Sequence, residues 1–135
     1  MAAPVRRPEP DEPDFEAVSR AQLARVREDV GALVLREYVR AYLDLLPGRL
    51  DRIEQAVAAA DTAAAVRVMF DLRASSAMLG ARRLTELVSA LETTRRIGLP
   101  VGPAQLAVLR AQASAVRGAL DGLAEGGGFG RSGTH

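Results

Sequence analysis

Apolar residues recur every three or four positions through most of the chain, and the interruptions fall on glycine, proline and acidic capping residues. That spacing predicts helices that each bury one face, and no stretch reads as a strand. The first helix is short: Ser19 is its candidate N-cap, Leu23, Val26 and Val30 share a face, and it stops near Gly31. Leu33, Val34, Tyr38, Val39, Tyr42, Leu43 and Leu46 then form a wide stripe that resumes after Pro47 with Leu50, Ile53, Ala56 and Val57. The pattern predicts one long helix bent at Pro47-Gly48, because proline removes a backbone donor and crowds the preceding turn; a clean break there is the alternative. Asp61-Thr62 opens a third helix that runs to about Leu79 and turns at Gly80. A fourth spans Ala81 to Ile97 with Leu84, Leu87, Val88 and Leu91 in its seam. After the turn-rich Gly98-Leu-Pro-Val-Gly-Pro, Ala104 to Ala124 forms a last helix on Leu106, Leu109, Ala113, Val116, Leu120 and Leu123. Long helices joined by short links predict an all-α fold: an up-and-down antiparallel four-helix bundle with a short extra N-terminal helix.

The ends read differently. Pro4, Pro8, Pro10 and Pro13 lie among charges, so residues 1–13 are expected to form a disordered arm. From Gly126 the Gly-rich run 126–135 is expected to be a disordered tail, leaving 14–125 as the folded unit. A chain of 135 residues makes a single domain the natural expectation. With aromatics at only 4% and no Trp, the core has to be built from Leu, Val, Ala and Ile.

Composition removes several kinds of chemistry. There is no Cys, and the only histidine is His135, the last residue. Disulfides, thiolate or imidazole metal sites, and Ser/His or Cys/His nucleophilic pairs are therefore excluded from the domain, and no cofactor is implied. A formal charge of +1, with no basic patch interleaved with aromatics, argues against nucleic acid. All 18 basic residues are Arg, a bias that GC-rich coding explains without any mechanism. The proline-rich start does not read as a signal peptide, and no segment approaches the roughly 20 apolar residues of a membrane span, so the expected location is cytoplasmic.

The stretch Met69-Phe-Asp-Leu-Arg-Ala-Ser-Ser-Ala-Met-Leu-Gly-Ala-Arg-Arg-Leu84, followed by Leu87 to Glu92, resembles the histidine phosphotransfer (HPt) domains of bacterial phosphorelays. In that family the corresponding pattern is His-x-Leu-Lys-Gly-Ser-Ser/Ala-x-x-Leu-Gly-Ala, then a Leu-rich helix ending in Glu. Leu72, Arg73, Ser75, Ser76, Leu79, Gly80, Ala81, Leu84 and Glu92 fall in register, and the likeness extends upstream through Val34 to Leu46, Leu50 and Asp61. The departures matter more than the matches. The phosphoaccepting histidine falls on Phe70, the family's Lys on Arg73 and its Gly on Ala74. Phenylalanine has no nucleophilic nitrogen, so the resemblance implies a degenerate member that cannot accept phosphate at this position. Arg73 would keep the positive charge the family places there, although a planar fork replaces a point charge.

Helical geometry asks independently which way Phe70 faces. At about 100° per residue, Ala65, Val68, Met69, Leu72, Ser76 and Leu79 cluster on one side, and Phe70 lies roughly 150° from their centre. It is expected to point outward among Val66, Arg67, Arg73, Ala74 and Ala77, an apolar patch edged by two guanidinium groups. Residues 66–83 carry four Arg against one acid, Asp71, which favours an acidic partner. Ser75 and Ser76 have no base near them in sequence and read as packing residues, while Asp71, Glu28 and Asp29 read as surface acids.

These observations predict a non-catalytic signalling module. It would bind the receiver domain of a response regulator, or a similar signalling protein, through Val66, Arg67, Phe70, Arg73, Ala74 and Ala77. Two alternatives stay open. One is a phosphorelay carrier that uses another residue; the other is a self-associating bundle in which Phe70 and Ala74 pack against a second copy.

Overall fold

A computed structural model describes residues 16–125. The expectations for the arm over 1–13 and the tail over 126–135 lie outside the described residues. Every regular element described is helical: α1 (Arg20–Val30), α2 (Ala32–Ala58), α3 (Thr62–Met78), α4 (Arg82–Arg96) and α5 (Pro103–Glu125). The boundaries follow local chemistry. Ser19 Oγ accepts a hydrogen bond from the Gln22 amide and caps α1, and Asp61 Oδ1 does the same for Ala64 at the start of α3. The two-residue turn before Asp61 is tight enough to hold Ala60 at φ 57°, a conformation that side chains with a Cβ rarely adopt.

α3 makes its broadest contact with α4 and its next broadest with α2, while α5 packs against both α4 and α2, so these four helices surround one core. α1 packs on α2. In α2 the core takes Leu35, Val39, Tyr42, Leu46, Leu50, Ile53 and Ala56, spaced at threes and fours. The expected stripe was therefore too wide at its start. Leu33 and Val34 are exposed and Leu35 takes the core position, because a two-helix seam admits one residue per turn there rather than three consecutive ones. Val30, expected on the inner face of α1, is also exposed: it sits in the last turn before Gly31, where the chain has already begun to leave the core.

α2 runs unbroken through Pro47. Proline cannot donate to the carbonyl four residues back, which leaves the Leu43 oxygen without its helical partner. Arg117 of α5 supplies one: its Nη2 donates to Leu43 O at 2.7 Å. A residue on a neighbouring helix thus fills the gap that the sequence opens.

The α2–α3 seam contains a polar pin. Tyr42 and Ser76 are both buried and share a hydrogen bond of 2.8 Å. Burial pushes the Tyr42 phenol above its ordinary range, outweighing the opposite effect of its bond to Ser76. The fold therefore favours the neutral phenol. This contribution to stability is fully present below pH about 10, the value of an unfolded tyrosine, and is lost as pH rises through the higher folded value. Replacing Tyr42 by Phe is expected to cost about 1–3 kcal/mol, because Ser76 loses its partner, and to flatten that alkaline loss; Tyr42→Phe with Ser76→Ala should recover much of the cost. Urea unfolding as a function of pH measures both effects.

Candidate functional site

α3 places its residues as the angular reading requires. Ala65, Met69, Leu72, Ser76 and Leu79 are buried, whereas Phe70 remains 49% exposed, large for an aromatic ring on a helix packed on both flanks. Arg67, Ala74 and Ala77 are exposed beside it, and Val66 and Arg73 are half-buried. The six residues expected to form a face thus lie together on the outer side of one helix. Small residues one and two turns after Phe70 leave its ring standing proud of the surface.

Ala77 leads into a groove of about 380 Å³ lined also by Ser19, Gln22, Arg25, Gly80, Arg82 and Thr85. α1 reaches this point because Ser19 N donates to Gly80 O at 3.0 Å and Gln22 Nε2 donates to Met78 O at 3.3 Å. Gly80 is required for that approach. Its φ is +73°, and a Cβ there would stand 2.8 Å from Gln22 Cβ and 2.9 Å from Ser19 Cβ.

The charge at the face is arranged in a way sequence reasoning did not supply. Glu92, from α4, is buried, and its carboxylate accepts from both Nε and Nη2 of Arg73, with Arg96 Nη2 3.7 Å away. The hydrogen bond to Glu92 holds the Arg73 guanidinium above its ordinary pKa. The Arg73 Cζ lies 5.0 Å from the centroid of the Phe70 ring, within cation–π range. Arg73 is therefore not a free cation at the edge of the patch. It links a buried acid to an exposed ring. The available signal was the position of Glu92, an acid in register with Leu84 and Val88 on the inner side of α4.

Ser75 and Ser76 hold no catalytic arrangement. Ser75 Oγ donates to Asp71 O at 2.8 Å and accepts from Arg49 Nη1 at 3.2 Å, while Ser76 meets Tyr42. Neither an arginine nor a neutral phenol can act as their base. Among the described residues no group of three or more His, Cys, Asp or Glu is placed to hold a metal ion, and no helix is long and apolar enough to cross a membrane.

The family model for the Hpt domain matches residues 37–119, a span that covers α3, α4 and most of α2 and α5. That span contains no histidine. Comparison with curated proteins and with solved structures gave no match.

Proposed function

The chain belongs to the Hpt domain family, whose members act with response-regulator receiver domains in two-component phosphorelays, and from that premise we propose that it has kept the docking role and given up the chemistry. In this reading α2 to α5 form an up-and-down antiparallel bundle within a folded unit of about 14–125, and α1 is laid against one end. Phe70 stands in the place of the phosphoacceptor. The protein then acts in the cytoplasm as a non-catalytic module that sequesters, scaffolds or blocks a receiver without taking phosphate from it.

One observation carries the proposal: a phenylalanine ring, half exposed, sits among small and apolar residues on the outer side of α3, with Arg67 and Arg73 at its edges. Burying the rest of that ring against a partner is worth about 1–2 kcal/mol. Phe70→Ala is therefore expected to weaken binding to an unphosphorylated receiver domain by roughly 5–30-fold, while the urea midpoint of the free protein hardly moves. Titration calorimetry against purified receiver domains of the same genome measures the first quantity. Unchanged affinity in both Phe70→Ala and Arg73→Ala would remove the proposed surface. Dimerisation that Phe70→Arg abolishes, in the absence of any receiver binding, would point to self-association instead.

A further inference from the structure

The charge around Phe70 is divided between two arginines with different surroundings. Arg73 has its fork on a buried carboxylate from the neighbouring helix and its guanidinium over the ring. Taking a charge out of water is unfavourable unless it is paired, so Glu92 keeps Arg73 where it is. Arg67 lies one helical turn before Phe70, is exposed, and among the described residues enters no ion pair. Arg73 and Arg67 also lie on opposite sides of Phe70 around the helix, the first towards α4 and the second towards solvent.

Resting on the docking reading above, we propose that Glu92 is a positioning residue of the face: through Arg73 it sets the Phe70 ring, and Arg67, rather than Arg73, carries the charge that an acidic receiver surface meets. Arg73 contributes shape. Its planar fork can satisfy both carboxylate oxygens and stack on the ring at once, and a lysine ammonium cannot do both. Arg67 contributes attraction that salt can screen, since among the described residues no acid pairs with it.

The test uses the full chain and purified, unphosphorylated receiver domains of the same genome, with affinities measured at low and high salt. Arg67→Gln is expected to lose roughly two- to fivefold in affinity at low salt, and to flatten the salt dependence. Arg73→Lys, which keeps the charge and removes the fork, is expected to lose as much affinity as Arg73→Gln, with the salt dependence of both unchanged. Arg73→Lys binding like the wild type, or Arg73→Gln flattening the salt dependence, would overturn the assignment. A second readout needs no partner. The Arg73 Nε–Hε resonance should be displaced by the ring current of Phe70 in the wild type and in Arg67→Gln, and should move towards an ordinary arginine position in Glu92→Gln. The same resonance in wild type and Glu92→Gln would show that Glu92 does not set the ring. If no receiver binds the wild type, the docking reading falls and the charge assignment with it, and the resonance alone then decides the role of Glu92.

Discussion

Phe70→His is expected to take up phosphate where the wild type is expected to take up none. A receiver domain carrying an aspartyl phosphate would transfer the phosphoryl group to the new imidazole, breaking the P–O bond to aspartate and forming a P–N bond. The wild type should stay unlabelled. The geometry favours the gain because position 70 is half exposed, Ala74 and Ala77 leave room for an approaching partner, and the Arg73 guanidinium already lies 5.0 Å from where the ring sits. Both proteins should carry His135→Ala, since His135 is the chain's only natural imidazole. An acid-labile, alkali-stable label confined to Phe70→His supports the view that only the acceptor was lost. A label on the wild type would overturn the non-accepting reading. Absence of label in Phe70→His, with receiver binding intact, would show that more than the acceptor has been lost.

Gly80→Ala is expected to be the most destabilising of the substitutions considered, at about 2–5 kcal/mol. Two penalties add at that position. An alanine in the left-handed region costs about 1–2 kcal/mol, and the added methyl overlaps Gln22 of α1 and its N-cap Ser19, an overpacking that costs about 1–3 kcal/mol. Gly98→Ala provides the comparison. Its φ is +87°, much the same, but nothing lies within 4 Å of the added carbon, so only the backbone penalty remains. Chemical denaturation of the two variants separates close approach from backbone strain. Equal losses would show that α1 does not rest on Gly80 as described.

The contrast between those two glycines shows where a linear pattern stops being informative. Both are visible in sequence as helix stops, and nothing in the sequence says that one carries a neighbouring helix on its back. The five helices were legible because glycine, proline and Asp61 mark their ends and apolar spacing marks their inner faces. The outward direction of Phe70 was legible for the same reason, since angle along a helix depends on nothing else. Leu35 was missed because three adjacent apolar residues fit one turn equally well until the partner helix chooses among them. The pairing of Arg73 with Glu92 bridges 19 residues and that of Arg117 with Leu43 bridges 74. Such contacts are decided by how helices meet, which periodicity leaves open. As a result two arginines that look alike in sequence, Arg67 and Arg73, differ in whether a buried acid already holds them.

The carbonyl left vacant by Pro47 bears on the order in which the molecule assembles. Until α5 arrives, nothing completes the second helix at its midpoint, so a peptide of residues 32–58 should form two short, frayed stretches rather than one rod. Full continuity would then be a late, long-range event governed by chain closure over 74 positions. A chain cut just before Arg117 should accordingly lose more helical content than the missing segment itself contained.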